Sequence, residues 1–263
     1  MPEACSTAID GTLPRDLENF RMKCGWLRPF ALGSLVFLSG SAAWAQLSSF
    51  AVLGGSTVTN TSTPTIVTGN LGVSPGNSVT GFPPGIVIGN IHAVDSVAVQ
   101  AQSDLTTTYT NLVNAPCTVD LTGQDLGGLT LTPGVYCFSA SAQLTGTLTL
   151  DSQSGPNAVF VFQISGTLTT SPAASVLQIN GGSPCGVFWQ VGGTSTLGTG
   201  TALVGSIVAM NSITLNIGAS VTGRVLTING AVNLDNSQVT VCSGGAPAGP
   251  IYQAPAITSA NAV

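Results

Sequence analysis

Short hydroxyl and amide side chains recur at regular intervals in the second half of the chain, and they are the residues whose spacing suggests a function. In five successive segments one such residue precedes a Leu, and these five are Gln143, Thr167, Thr196, Thr214 and Asn233. Two positions earlier stand Ser141, Ser165, Thr194, Ser212 and Ala231. Thr is β-branched and stiff, so an array of Thr side chains holds its hydroxyl and methyl groups in fixed positions. Such an array can order water in a lattice, which long charged side chains would disturb.

A repeat between Gly134 and Cys242 explains this spacing. Five stretches that can be laid over one another begin at Gly134, Ala158, Gly186, Ser206 and Arg224, roughly 18 to 28 residues apart, which is a period typical of solenoids. Each stretch contains an opening strand, a short second strand with a central Leu, and a closing strand, with Gly, Asn and Ser at the corners. Three strands per layer predict an all-β solenoid of triangular cross-section, whose equivalent side chains form columns about 4.7–4.9 Å apart.

The second strands should form one flat, nearly uncharged face. Their central Leu points into the solenoid, so the residues on either side of it point outward. The coil-like pattern already begins in residues 50–90, where Thr57-Val58-Thr59 supplies an equivalent pair. The candidate face consists of Thr57, Thr59, Ser165, Thr167, Thr194, Thr196, Ser212, Thr214 and Asn233. Because Thr and Asn columns also stabilise any β-solenoid through cross-strand pairs, the pattern by itself fits a purely structural role as well.

One long helix is expected beside the strands. Residues 92–115 lack Gly and Pro, and Pro116 follows them. Their apolar residues recur at the spacing of one helix face, at Val94, Val97, Ala98, Ala101, Leu105, Tyr109 and Leu112. A helix with a single apolar stripe needs a surface to lie on, and the flank of the solenoid is the large one available. We interpret the stripe as packing rather than as a cofactor site.

The first 45 residues are typical of an exported protein. A basic stretch and the apolar run Phe30–Leu38 precede the small-residue pattern Ala43-Trp44-Ala45. The run is too short to span a bilayer. We therefore predict that residues 1–45 are a start region and a secretory signal peptide, with the true start at Met22.

The rest of the chain divides into a solenoid domain, residues 46–242, and residues 243–263, whose Gly, Ala, Pro and Ser composition predicts a flexible tail. Charged residues make up 6% of the 263 residues, whereas hydrophobic residues make up 43%. Four of the five Lys and Arg residues lie in the predicted signal region, which leaves Arg224. Without a basic patch the secreted protein cannot neutralise phosphates, so nucleic acid and anionic membranes are excluded as partners.

Cysteine use agrees with export. Cys117, Cys137, Cys185 and Cys242 follow the predicted signal, and an even number in a secreted chain indicates disulfides, with three possible connectivities. We favour Cys117–Cys137, tying the entry strand to the first coil, and Cys185–Cys242, tying a corner to the last strand. Zinc binding is the alternative. Because no Cys-x-x-Cys is present and His92 is the one His in the chain, we expect no metal or cofactor.

Catalysis is a competing function, since β-helices also carry polysaccharide-cleaving enzymes. Those reactions need clustered carboxylates and a base in one groove. The six Asp residues after the predicted signal are scattered, and the two that are close in sequence, Asp120 and Asp125, are typical turn formers. We predict that the protein is not an enzyme.

A further set of motifs runs in order from residue 50 to residue 241. They are Phe50-Ala-Val-Leu, Gly69-Asn-Leu-Gly-Val-Ser-Pro-Gly76, Gly81-Phe-Pro-Pro-Gly85, Ala101-Gln-Ser-Asp-Leu-Thr-Thr-Thr-Tyr109, Leu131-Thr-Pro-Gly-Val-Tyr136, Asn157-Ala-Val-Phe-Val-Phe-Gln163, Val187-Phe-Trp-Gln-Val191 and Gly223-Arg224. In these motifs the chain resembles the ice-binding protein family of bacteria and fungi, which are secreted β-solenoids (the domain of unknown function numbered 3494).

The resemblance implies a discontinuous right-handed β-solenoid with a helix packed along its flank, in which N-terminal strands lie beside C-terminal coils. It also implies adsorption to ice through strands that carry the pattern Thr-Ala/Gly-x-Thr/Asn. Here the pattern falls on Gly193-Thr-Ser-Thr196, Asn211-Ser-Ile-Thr214 and Gly230-Ala-Val-Asn233, with Gly or Asn replacing the first Thr. The expected partner is the surface of an ice crystal, bound by a secreted monomer without catalysis. The alternative is a structural or adhesive cell-envelope solenoid without ice activity.

Overall fold

The structure is a computed structural model that describes residues 47–62 and 64–242. The predictions for residues 1–45 and 243–263, a signal peptide and a flexible tail, fall outside these residues. The described part contains twenty-two β-strands and a long α-helix. In chain order they are β1 (Phe50–Gly54), β2 (Thr57–Asn60), β3 (Ile66–Thr68), β4 (Asn70–Val73), β5 (Ser78–Thr80), β6 (Ile86–Ile88), β7 (Ile91–Ala93), α1 (Ser96–Val113), β8 (Val119–Asp120), β9 (Thr130–Leu131), β10 (Gly134–Phe138), β11 (Ala142–Leu144), β12 (Thr147–Asp151), β13 (Phe160–Ile164), β14 (Leu168–Thr170), β15 (Ser175–Ile179), β16 (Val187–Val191), β17 (Ser195–Leu197), β18 (Ala202–Ala209), β19 (Ile213–Leu215), β20 (Ser220–Thr227), β21 (Val232–Leu234) and β22 (Gln238–Thr240).

The strands form three parallel ladders, one on each side of a triangular solenoid. A seven-stranded sheet in the order β11-β14-β17-β19-β21-β2-β5 makes one side, which we call the middle face. The helix-side face contains β8, β10, β13, β16, β18, β20, β1, β4 and β7. The third face contains β9, β12, β15, β18, β20, β22, β3 and β6. β18 and β20 belong to both of the latter faces because each continues through a corner.

The stacking order of the coils differs from their order in the sequence. β1 pairs with β20, β2 pairs with β21, and β3 pairs with β22, so residues 50–93 stack on the last C-terminal coil rather than on the coil that follows them. This confirms the discontinuous solenoid that the family resemblance implies.

Stacked apolar columns fill the interior of the triangle. Along one column of the helix-side face, Tyr136, Phe162 and Trp189 occupy equivalent places in β10, β13 and β16. Their ring centroids are 5.5 Å apart for the first pair and 4.0 Å for the second, and both pairs are stacked. The indole N–H of Trp189 donates to the carbonyl of Val204 at 3.0 Å, so its polar atom is satisfied within the core.

A second apolar cluster lies between the helix and the solenoid. The buried side chains of α1, including Ala101, Leu105 and Leu112, pack on residues that point outward from the helix-side face, such as Phe188 and Val208. The apolar stripe is therefore packing, as the sequence predicts. The helix covers this face, whereas no element of residues 47–62 and 64–242 covers the middle or the third face.

Side-chain hydrogen bonds satisfy both ends of the helix, and Gln163 links its C-terminus to the strands. The Gln163 amide donates to the carbonyls of Leu112 and Ala115 at 2.7 and 2.6 Å, which satisfies orphan groups at the helix C-terminus. At the other end the Asp95 carboxylate accepts from the Ala98 N–H as an N-cap. The helix starts later than the predicted residue 92, because residues 91–93 extend the sheet as β7, paired with β4.

Both disulfides join the predicted partners. Cys117–Cys137 has a Cα separation of 5.9 Å and ties the end of the helix region to β10. Cys185–Cys242 has a Cα separation of 5.6 Å and ties the corner before β16 to the chain after β22.

Two glycines allow β18 and β20 to turn the corner between the third and helix-side faces. Gly205 and Gly223 are neighbours in the stack and have φ of 112° and 151°. A side chain at Gly223 would collide with the carbonyl of Gly205. Gly146 also has a positive φ, 84°, but has open space around it.

We expect Gly223→Ala to lower the free energy of unfolding by at least about 2 kcal/mol, because it combines backbone strain with a clash against backbone. Gly146→Ala is the matched control and should cost only about 1 kcal/mol, from strain alone. Urea unfolding with the disulfides intact measures both. Equal losses for the two variants would contradict the role assigned to this corner.

Candidate functional site

The outward side chains of the middle face form straight columns across seven coils. The central column contains Gln143, Thr169, Thr196, Thr214, Asn233, Thr59 and Thr80. The alternate residues of each strand, such as Leu197 and Leu215, point into the core and are fully buried. Strand alternation therefore separates an apolar inner layer from a hydroxyl-rich outer layer.

Two further columns flank the central one. On the side where the strands begin, the equivalent positions are Ser141, Thr167, Thr194, Ser212, Ala231, Thr57 and Ser78. On the side where they end, they are Thr145, Ser171, Gly198, Asn216, Asp235 and Thr61. Almost all of these side chains are short, so the face has little relief.

Hydrogen bonds along the columns orient several of these side chains. The Thr80 hydroxyl donates to the Thr59 hydroxyl at 3.3 Å, and the Thr167 hydroxyl donates to the Ser141 hydroxyl at 3.0 Å. The Ser212 hydroxyl accepts from the backbone N–H of Ala231 at 3.0 Å. Such bonds between neighbouring coils limit side-chain rotation before any surface is bound.

The structure brings together most of the predicted face but corrects one coil. Thr57, Thr59, Thr194, Thr196, Ser212, Thr214 and Asn233 lie on the middle face as expected. Thr167 lies in the flanking column rather than the central one, and Thr169 takes the central place, paired with Thr196. Ser165 precedes the strand, beyond both columns. The sequence alignment of Leu168 with Leu144 and Leu197 was therefore wrong by two residues.

A buried hydroxyl explains this shift. Thr170, not Leu168, is the residue level with Leu144. Its hydroxyl accepts from the Gly198 N–H at 2.9 Å and contacts the Thr201 hydroxyl at 2.7 Å. A polar group can be buried at little cost when it is fully hydrogen-bonded, so Thr occupies a position that the pattern assigns to Leu.

Sequence reasoning also missed the outermost row, Ser78 and Thr80. The signal was present, because Ser78-Val79-Thr80 repeats the hydroxyl–apolar–hydroxyl pattern of Thr57-Val58-Thr59. β5 pairs with β2 in this register. The row extends the face beyond the pair that was predicted.

Two carboxylates lie on the middle face. Asp125 forms a parallel β-bridge with Gln143 and so lies next to the end of the central column, whereas Asp235 lies in the flanking column where the strands end. Asp125 accepts hydrogen bonds from the N–H groups of Gly127 and Thr145 and from the Thr145 hydroxyl. Partial burial would raise the pKa of Asp125, but the hydrogen bonds from Thr145 and Gly127 outweigh it and hold this pKa below its usual value. The Asp235 carboxylate accepts from the Ser62 hydroxyl. Both carboxylates are therefore held by hydrogen bonds from neighbouring coils, since Thr145 is 20 residues from Asp125 and Ser62 is 173 residues from Asp235.

The described residues contain no cluster of three or more His, Cys, Asp or Glu side chains that could hold a metal ion. The His92 ring contacts the Asp95 carboxylate at 2.7 Å at the start of α1, away from the middle face. No helix in the described part of the chain is both long and apolar enough to cross a membrane.

Comparison with known proteins gives consistent matches. The profile of the family described as Ice-binding-like matches residues 52–240. An ice-binding protein of Nostoc sp. (strain HG1) is 57% identical over 194 residues, which cover 73% of this chain and 71% of that protein. Ice-binding protein 1 of Shewanella frigidimarina (strain NCIMB 400) is 31% identical over 226 residues, 74% of this chain but only 25% of that longer protein.

Solved structures agree with the sequences. An ice-binding protein from an Antarctic biological consortium matches with a TM-score of 0.73 and 41% identity, covering 76% of this chain and 90% of that one. The ice-binding protein of the Antarctic ascomycete Antarctomyces psychrotrophicus matches with a TM-score of 0.74 and 37% identity, covering 76% and 98%.

The register of β14 can be tested through stability. Thr170→Val removes the acceptor of a buried N–H and should lower the free energy of unfolding by about 1–3 kcal/mol. Thr169→Val, one residue away but exposed, should change it by no more than about 0.5 kcal/mol. Urea unfolding of both variants measures the difference, and a loss for Thr170→Val no larger than that for Thr169→Val would contradict the register in which Thr170 accepts from Gly198.

Proposed function

Since the chain belongs to the ice-binding-like family, its function is to bind ice, and we propose that the middle face is the surface that adsorbs to the crystal. The observation that carries this proposal is the central column, in which short uncharged side chains repeat over seven coils. Parallel strands set the repeat at about 4.7–4.9 Å along the column.

The composition of the face suits adsorption to ordered water. Thr offers a hydroxyl that can join a water lattice and a methyl group that repels disordered water. Its single β-branched torsion leaves little rotational entropy to lose on binding. Each contact is weak, but contacts held on one rigid scaffold act together, so a face of many rows binds far more tightly than one row.

Three neighbouring coils place the final Thr or Asn of the family's ice-binding pattern on this face, although Gly or Asn replaces the first Thr of the pattern in each. Thr196 lies in β17, Thr214 in β19 and Asn233 in β21. The residues that pair with them on the face, Thr194, Ser212 and Ala231, each directly precede the strand. Thr57 and Thr59 continue them in β2. The third face supports the proposal less well, because large apolar side chains such as Leu177 and Ile88 are exposed there.

We further propose that the protein acts outside the cell as a monomer, without catalysis, cofactor or nucleic acid. Two disulfides are consistent with an oxidising compartment. Arg224, the one basic residue of 47–242 apart from His92, is buried, so the described surface offers no basic patch for phosphates.

The first test is ice recrystallisation inhibition by the purified protein, with its disulfides intact, over a dilution series. Inhibition at low concentration, together with shaping of single ice crystals, is the expected result. A folded but inactive sample would overturn ice binding and favour a structural or adhesive envelope solenoid.

The face itself is tested by the double variant Thr196→Tyr with Thr214→Tyr, which places two rings on adjacent rows of the central column. The rings would hold the flat face away from the crystal, so the concentration needed for inhibition should rise about tenfold or more, because linked contacts are lost together. Both positions face solvent, and we expect the free energy of unfolding to change by less than about 1 kcal/mol.

The matched control is Thr222→Tyr with Thr240→Tyr, an adjacent exposed pair on the third face. It adds the same rings to the same kind of paired strand and should leave ice activity unchanged. Loss of activity in the control with retention in the middle-face variant would move the binding surface to the third face.

A further inference from the structure

The middle face is built from two separate parts of the chain. Five of its seven central positions come from residues 118–242, and they are Gln143, Thr169, Thr196, Thr214 and Asn233. The other two, Thr59 and Thr80, come from residues 47–93. A seam therefore crosses the face between β21 and β2, where no covalent link within either coil holds the columns in line.

One buried side chain joins the chain segments that meet at this seam. Arg224, in β20, is 3% exposed. Its Nε donates to the carbonyl of Leu47 at 3.2 Å and its Nη2 donates to the carbonyl of Ser48 at 3.0 Å. Its Nη1 lies 3.2 Å from the Cys242 sulfur and 3.5 Å from the Ser206 hydroxyl. The guanidinium thus contacts the segment before β1, Ser206 in β18 and Cys242 after β22.

Because the Arg224 side chain is charged and buried, its N–H groups need hydrogen-bond acceptors. Within residues 47–62 and 64–242 the guanidinium has no carboxylate partner. Burial lowers the pKa of Arg224 to about 10, so the side chain stays protonated at neutral pH. A buried cation is costly unless its donors are hydrogen-bonded, and here backbone carbonyls supply the acceptors. The N-terminal segment must therefore remain docked for the charge to stay satisfied.

The position of the docked segment determines where the next two rows fall. β1 begins three residues after Leu47 and pairs with β20, and Val52 lies level with Val225. At the other end of β1, the Gly55 N–H donates to the Thr227 hydroxyl at 3.0 Å and to the Gly230 carbonyl at 3.0 Å. β2 follows at once, so a slip of β1 along β20 would displace the row that contains Thr59. In strands, a slip of one residue turns every side chain to the opposite face.

We infer that Arg224 is a positioning residue for ice binding, which holds the two N-terminal rows of the middle face in register with the five C-terminal rows. This inference rests on the proposed function of that face, because Arg224 itself is buried and touches no part of the surface. The β1–β20, β2–β21 and β3–β22 ladders also cross the seam, so without the guanidinium contacts we expect the block of two rows to open more often than the block of five.

The test is Arg224→Gln, which removes the charge and leaves at least one of the two carbonyls without a donor. Hydrogen exchange should become faster in peptides from residues 47–93 and stay slow in those from residues 118–242. The concentration needed to inhibit ice recrystallisation should rise about tenfold, because contacts on the two lost rows no longer add to the others. Arg224→Lys keeps one charged donor group, so its exchange rate and its inhibitory concentration should lie between those of Arg224→Gln and those of the unaltered protein. It serves as the test if the Gln variant does not fold.

A crosslink across the seam provides the rescue. Thr68 and Thr240 are direct partners in β3 and β22, on the third face, away from the proposed ice-binding surface. Adjacent strands lie about 4.7–4.9 Å apart, within the Cα range that a disulfide spans. Adding Thr68→Cys and Thr240→Cys to Arg224→Gln should restore both slow exchange in residues 47–93 and ice activity. The same crosslink in the unaltered protein is the control and should leave activity unchanged.

Three outcomes would overturn the inference. The first is full activity and slow exchange in Arg224→Gln. The second is faster exchange throughout the chain of that variant, which would indicate a general loss of stability. The third is a crosslink that forms but restores neither slow exchange nor ice activity. Inactivity of the unaltered protein would instead contradict the proposed function, and the exchange measurement would still decide whether Arg224 holds the seam.

Discussion

Parallel hydrogen bonding between successive coils is the interaction on which the rest of this structure depends. It fixes the repeat along the solenoid axis, and it places residues that are far apart in sequence directly above one another. Thr59 meets Asn233 in this way although most of the chain separates them. The flatness of the middle face follows from this ladder, because side chains on equivalent strand positions must project to the same height.

Each face of this weakly charged solenoid has a different structural role. One is covered by α1, whose apolar residues and glutamine contacts close a second core. The interior of the triangle supplies the stability that salt bridges do not, through columns such as Tyr136, Phe162 and Trp189. The middle face is then free to carry short hydroxyl groups, since it has neither to build the core nor to solubilise the chain through charge.

The discontinuous order of the coils creates both the length of the face and its weak point. Stacking residues 50–93 on the last coil adds two rows to the central column but leaves a junction that only non-covalent contacts bridge. Arg224 and the adjacent Cys185–Cys242 disulfide lie at that junction. Within residues 47–62 and 64–242 Arg224 is a buried cation without a carboxylate partner, and its contacts with the carbonyls of Leu47 and Ser48 give it a structural role.

The sequence by itself determined the layered fold, the helix on its flank and most of the outward Thr and Ser residues, because strand alternation and repeat spacing are local properties. The disulfide pairing favoured from sequence was one of three possible connectivities, and the structure has that pairing. The order in which the coils stack came from family resemblance rather than from periodicity. Only the tertiary structure decided the register of β14, where Thr169 rather than Thr167 joins the central column. Leu168 and Thr170 both fit the inward position by pattern, and the choice between them depends on hydrogen bonds from Gly198 and to Thr201 in neighbouring segments. Contacts between coils, unlike alternation within a strand, leave no periodic signal in the chain.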